Sequence, residues 1–458
     1  MFDPTLAARR FGTGQATGLR LPTDAESMMR ALKAPDAAAQ TWPVPVFSEH
    51  LSELKALRDL GAAKRKASPG EAAKAADQAL RSARRKFRRH RVHGARQFLA
   101  RGAFAEDGFR ERLTWFWSDH FTAATRVPGL RSIGAAYIEE AIRPNITGRF
   151  AELLWAVVTH PMMLVYLDQH VSAGPSTKLG KRRGRGLNEN LAREILELHT
   201  LGVKGQYRQE DVRALAELLT GLTVKQGEGF MFRAAMAEPG PERILGKTYG
   251  GGAPKLAHIR LAIEDLAAHP DTAQHLAQKL AVHFVSDTPD PALTAYMADQ
   301  FLKSGGDLMA LYAALLEHPG AWSPVPRNAV PPFDFLVSSI RALTVPERAI
   351  ETLSPKDLQR GFFAPLQVMG QPWLQPDGPD GFSENDGAWV TPQGLAGRIS
   401  WAMTMPSRLL GKLPDPRDFV LSALGPEADP RTVFAAQAAE NRAEGIGLVL
   451  MSPRFQRR

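Results

Sequence analysis

Apolar residues along the chain recur at intervals of three and four. Leu153, Leu154, Val157 and Val158 form one stripe; Leu215, Leu218, Leu219 and Leu222 form a second; Leu276, Leu280, His283 and Phe284 form a third. That period turns one face of a helix toward a core. Two-residue alternation, the mark of a half-buried strand, is almost missing, and only Gly229-Phe230-Met231-Phe232 reads as a small hairpin. The pattern predicts an all-α (mostly α) protein of about fifteen helices, bundle-like, with long irregular loops and at most one small β-hairpin.

Breakers divide the pattern. Residues 1–96 read as an N-terminal helical region, with short helices between Pro4, Pro22, Pro35, Pro43 and Pro45. It ends in a basic, Ala-rich helix or helix pair over 61–96, with Ser68-Pro69-Gly70-Glu71 as a start signal. Residues 97–222 form a central helical region, 223–256 a Gly-rich loop or hairpin, and 257–458 a C-terminal helical region interrupted by the irregular stretch 365–392. All four are expected to form one continuous globular unit. No repeat of fixed period is visible.

Charge adds a local feature. The chain has 458 residues, 57 Lys or Arg against 48 Asp or Glu, and a formal charge of +9. The excess gathers in RSARRKFRRHR at 81–91 and in Lys181-Arg182-Arg183-Gly184-Arg185. Arg84, Arg85, Arg88, Arg89, Lys181, Arg182, Arg183 and Arg185 are therefore candidate anion-binding residues, and a solvated helix face explains the first run equally well. There is no cysteine, which excludes disulfides, thiolate zinc sites, Cys-held iron–sulfur clusters and covalent haem. No phosphate loop, dinucleotide fingerprint or zinc-protease motif is present, so no nucleotide or NAD is expected. MFDPTLAARRFGTG lacks the apolar core of a signal peptide and no run of about 18 apolar residues occurs, so a cytoplasmic location without a transmembrane segment is expected.

One segment reads like a site. In GLNENLAREILELHTLGV, residues 186–203, Asn188 is a good N-cap and Gly202 a good stop for a helix of about twelve residues. At about 100° per residue, Glu189, Asn190, Arg193, Glu194 and Glu197 share one arc of about 140°, with Leu191, Ile195 and Leu198 opposite and His199 away from the arc. Arg193 and Glu197 are spaced to pair. Glu189, Arg193, Glu194, Glu197 and His199 are candidate acid–base residues; a polar face toward water is the alternative. In LTWFWSDHF, residues 113–121, His120 is a candidate base or metal ligand, and adjacent Asp119 and His120 splay by about 100° and make a poor dyad. The pairs His160-Pro161, His269-Pro270 and His318-Pro319 suggest a His that closes one helix and a Pro that opens the next.

These blocks, together with FDPTLAARRFGTG, HPMMLVYLD, YRQEDVRALAELLTGLT and MGQPWLQPDGPDGF, resemble the bacterial domain-of-unknown-function family 1800 from end to end. The resemblance implies a mostly helical protein and no settled reaction. It places the family motif on Glu189, Asn190, Arg193, Glu194, Glu197, His199 and Gly202, and an aromatic block on Trp117 and His120. Many relatives look like Trp-His-Asn-His-Phe where this chain has Trp117-Ser118-Asp119-His120-Phe121, so a two-histidine metal site would lack a ligand here. The resemblance also implies a partner, an exported sulfatase-like protein of family 1501. Three functions follow as expectations: a non-catalytic partner or maturation protein for that exported protein, an acid–base or metal-assisted hydrolase built on the 186–199 helix, and a binder of anionic surfaces such as nucleic acid or lipid.

Overall fold

Six helices begin on one short signal. Asp3-Pro4, Asp290-Pro291, Asp415-Pro416 and Asp429-Pro430 place Pro in the first turn while the Asp side chain accepts a backbone N–H there. Ser354-Pro355 and Thr391-Pro392 do the same with a hydroxyl. Proline lacks the N–H that a first turn leaves over, and the cap satisfies one of the remaining donors. The His–Pro pairs belong to this group, which corrects the sequence reading. Nδ1 of His160, His269 and His318 accepts the backbone N–H two residues ahead, each at 3.1 Å, so the imidazole opens the following helix. Only a ring nitrogen without a proton can accept in this way.

The structure is a computed structural model that describes residues 2–127, 129–183, 186–225, 227–425 and 428–458. It is 63% helical. Many helices span only four to nine residues, so the segments are shorter and more numerous than the periodicity suggests. Two antiparallel hairpins are present among the described residues. β1 (Leu222–Lys225) pairs with β2 (Gly229–Phe232), and β3 (Pro241–Ile244) pairs with β4 (Lys247–Gly250). The second hairpin is an addition to the sequence reading. Its four-residue strands are too short for alternation to show, and Leu245 and Gly246 both turn with positive φ, 48° and 81°, as a tight hairpin turn requires.

A single apolar core runs from Leu6 to Phe455. At its centre the aromatic helix Gly108–His120 is buried on every side from Gly108 to Trp117. A helix with no wet face must pair its polar groups internally. Glu111 meets Arg143 at 2.6 Å, Arg112 meets Asp334 at 2.7 Å, and the Trp117 indole donates to the Tyr312 hydroxyl at 2.6 Å. The helix Pro270–Phe284 packs beside it, with His283 against Phe116. Outside this core, Phe47–Lys66 and Glu71–Phe104 form an antiparallel arm, tied by Lys64 to Asp77 and by Glu53 to His90. No residue from 51 to 79 is buried. Four helices, Pro392–Leu409, Pro416–Leu424, Pro430–Ala438 and Arg442–Leu450, pack together at the C-terminal end. Among the described residues no helix is long and apolar enough to cross a membrane.

Candidate active-site pocket and the charged helix face

The motif helix starts at Asn190, whose N–H is accepted by Asn188 Oδ1 at 2.9 Å. It runs as α-helix only to Glu194 and then widens into one π-turn, Ile195–His199. The Thr200 hydroxyl donates to the Ile195 carbonyl, five residues back, at 2.6 Å. Gly202 ends the element at φ +82°, a conformation that glycine adopts without penalty. The expected twelve-residue α-helix is thus shorter, with a widened last turn.

On its half-buried face Arg193 holds a lattice. It donates to Glu197 Oε1 at 3.1 Å, to Glu189 Oε2 at 3.3 Å and to Gln209 Oε1 at 3.1 Å. Glu189 and Glu197 keep 31% and 26% of their side-chain surface exposed. Glu194 stands beside this lattice. Burial, then the charges of Glu197 and Asp380, push its carboxyl up to about 7 against the pull of Arg193.

His120 and His199 lie behind the helix, both buried, with ring centroids 6.0 Å apart. The Nε2 groups of His120 and His275 donate to the carbonyls of His199 at 3.2 Å and Leu198 at 3.0 Å. Such carbonyls are left over at a helix end, so these imidazoles cap it. Burial, reinforced by the charge of Lys279, pushes His199 down to about 3 and His275 down to about 4, and holds His120 well below the usual range. The structure therefore separates the six candidate residues, with the carboxylates and Arg193 on one side and the histidines on the other. Among the described residues no three His, Asp or Glu side chains are placed to share a metal ion.

Asp119 turns away from His120, as their splay requires. Trp115, Ser118, Asp119 and Thr122, at helical spacing, line a cavity of about 100 Å³. The facing wall comes from the irregular 371–389 segment and includes Trp373, Phe382, Glu384 and Trp389. The Phe382 N–H donates to both Asp119 oxygens, at 2.9 and 3.1 Å. Gly381, at φ +84°, lies so close that a Cβ there would sit 2.5 Å from Asp119 Oδ2. Burial raises the Asp119 carboxyl to about 7; Glu384 and Asp380 add to the rise, and the Phe382 N–H and Lys279 oppose it.

Glu384 is the opposite case. His283 donates Nδ1–H to Glu384 Oε1 at 2.7 Å, and His283 Nε2 faces Arg112 Nη2 at 2.9 Å. Arginine can only donate, so the imidazole is neutral and its proton sits on Nδ1. Arg112 continues to Asp334, which also holds Arg458, and Arg458 donates to the His283 carbonyl at 3.1 Å. Burial drives the Glu384 carboxyl up, but His283, Arg458 and Lys279 outweigh it and keep Glu384 ionised, well below the usual range. A larger cleft of about 720 Å³ lies beneath residues 12–23, where Asp36 pairs with Arg143 and Arg110 with Asp107.

A family model described as "Protein of unknown function (DUF1800)" matches residues 7–457. The chain belongs to this family. No curated protein and no solved structure matches it. The match to DUF1800 spans the pocket, the motif helix and the basic arm alike.

In this DUF1800 protein the anion-binding candidates also fall into two places. Arg84, Arg85, Arg88 and Arg89 are exposed on Glu71–Phe104, and Lys181 and Arg182 are exposed on Lys178–Arg183, which packs against the 234–236 turn. Arg185 and the Arg183 side chain lie outside the described residues. The pocket is what sequence reasoning passed over. Its signal was present as a second stripe on Pro270–Phe284, where His275, Lys279 and His283 recur every four residues beside the apolar stripe. Nothing local to Glu384 marked it, because its partners, His283 and Lys279 on one helix and Arg458, come from two distant segments.

Proposed function

We propose that this DUF1800 chain is an acid–base enzyme of hydrolytic type whose substrate occupies the aromatic pocket. The observation that carries the reading is the pair of half-buried carboxyl groups, Asp119 and Glu384, on its walls. Among the described residues the Asp119 side chain takes hydrogen bonds from the Phe382 backbone N–H alone, whereas Glu384 is tied to His283. Two acids held in opposite protonation states in one site can divide the work of proton donor and fixed anion. Asp119 would protonate the leaving group as water adds to the other fragment, the proton that the water sheds would pass to the Asp119 carboxylate and restore the acid, and Glu384 would stabilise positive charge developing beside it. Trp115 lines the same pocket, and its indole N–H is buried without a partner, which suits an acceptor oxygen on the substrate. Apolar walls set the substrate class as small and largely apolar or aromatic, with one or two polar groups. Glu194, raised first by burial and then by Glu197 and Asp380, is a second proton-exchanging group.

The test is a panel of chromogenic esters, amides and glycosides with small aromatic groups, paired with a ligand-observed NMR screen. Turnover that Asp119→Asn lowers at least 100-fold, and that the pocket-filling Ser118→Phe also removes, supports the proposal. Equal turnover by Asp119→Asn, or no ligand and no turnover with the wild type, overturns it.

A second reading draws on Ile399, Met403, Leu421, Phe434 and Leu448, apolar side chains that the four C-terminal helices leave exposed. Exposed apolar side chains of this size suit a protein partner, and the exported protein of family 1501 is the one to try. Co-purification of the two that Phe434→Asp abolishes supports it; failure to associate on co-expression ends it.

A further inference from the structure

The arm carries more charge than the whole protein. Residues 55–96 hold fourteen Lys or Arg and three Asp or Glu, a net of +11, against +9 for all 458 residues. The remainder of the chain is therefore slightly acidic, and the positive field is a property of this one projection. On its longer helix Arg84, Arg85, Arg88 and Arg89 are exposed and have no carboxylate partner among the described residues, while Arg81 pairs with Asp77. Phe87 and Leu80 point inward and are buried, and Lys86 and His90 turn toward Glu53 on the other helix. The bare face is thus almost purely guanidinium. Where the arm meets the body, a groove of about 520 Å³ between this helix and Pro355 is lined by Arg88, Arg89, His90, His93 and Arg96. Three arginines and two histidines line this groove, and among the described residues no carboxylate does.

Residue types and geometry select among polyanions. At about 100° and 1.5 Å per residue, Arg81 to Arg89 rise about 12 Å and spread over an arc of about 140°. An arc that wide sends Arg84 and Arg89 to opposite flanks of the helix. A planar lipid surface would be met by the middle of the arc alone, and the face has no apolar side chain to insert into a bilayer. Single strands would want exposed aromatic platforms, and the only aromatic residue of the run, Phe87, is buried. A duplex groove has phosphates on both walls and admits a helix about 10–12 Å across. We infer that the arm binds the phosphodiester backbone of double-stranded nucleic acid, independently of sequence, with the guanidiniums bridging phosphates on the two sides of a groove. This interaction is separate from the pocket and does not rest on its chemistry.

The experiment is fluorescence anisotropy with a fluorescein-labelled 20-base-pair DNA duplex from 50 to 200 mM salt. Four neutralised phosphates correspond to a slope of about −3.6 in log affinity against log salt, so binding should weaken about 150-fold over that range. The variant Arg84→Gln/Arg85→Gln/Arg88→Gln/Arg89→Gln keeps good helix formers at exposed positions, and its helicity by circular dichroism should match the wild type. It should flatten the salt slope toward zero. No duplex binding at 50 mM salt, unchanged binding by the variant, tighter binding to the matching single strand, or binding to phosphatidylserine vesicles in place of the duplex would each overturn the inference.

Discussion

Asp119 gives a prediction whose size follows from its surroundings. Its carboxyl titrates near 3.8 in the unfolded chain and is raised to about 7 in the fold, first by burial. An acid raised in this way binds its proton more tightly in the native state. Below pH 3.8 both states are protonated and the group contributes nothing. Between 3.8 and about 7 the unfolded chain releases a proton that the native protein keeps, so stability falls as pH rises; above about 7 the penalty is complete. The interval corresponds to about 4 kcal/mol. For 458 residues the unfolding entropy is about 1 kcal/mol per kelvin, so the effect is about 4 °C in melting temperature. Asp119→Asn keeps an oxygen for the Phe382 N–H and cannot ionise. Its melting temperature minus that of the wild type should rise from near zero at pH 4 to about 4 °C at pH 8, since titrating groups that do not interact with Asp119 cancel in the difference. Paired differential scanning fluorimetry across that range is the assay. A difference that stays flat, or falls with pH, would refute the burial argument and remove Asp119 as the proton donor.

His283→Ala removes a hydrogen-bond partner of Glu384 and of Arg112 and should destabilise by about 1.5–3 kcal/mol; adding Glu384→Gln should cost little more, which a double-mutant cycle by chemical denaturation reads directly. Tyr312→Phe strands the indole N–H of buried Trp117 and should cost about 1–3 kcal/mol in the same assay. Asp380→Asn removes a charge that raises both Asp119 and Glu194, so the pH at which the wild-type profile turns should move down, measurable by the same paired melts.

Sequence periodicity carried the helices because each buries one apolar face, and Leu153, Leu215 and Leu276 are all fully buried where the pattern put them. Pro and Gly carried the boundaries: the start signal at Ser68-Pro69-Gly70 is followed by a helix from Glu71. The π-turn at Ile195–His199 was not legible, since it depends on a hydroxyl from Thr200 and imidazoles from His120 and His275 collecting carbonyls across the fold. The same holds for the second hairpin, whose strands are shorter than the window in which alternation can be counted.

The pocket and the motif helix hold their charges differently. The motif on 186–199 is dense in charge because its residues satisfy one another over one helix face, and Arg193 alone joins Glu189, Glu197 and Gln209. Mutual satisfaction quiets a charge. Asp119, in contrast, lies in an aromatic run where a single acid looks incidental, and its partners come from residue 382 and from the stripe on Pro270–Phe284. A carboxyl group left in an apolar wall with only a backbone donor keeps its proton near neutral pH, and that unsatisfied state is what makes a group chemically useful. The same holds for Glu194, which stands beside the Arg193 lattice and is raised to about 7: a raised carboxyl is found by asking which charge the fold leaves with few partners.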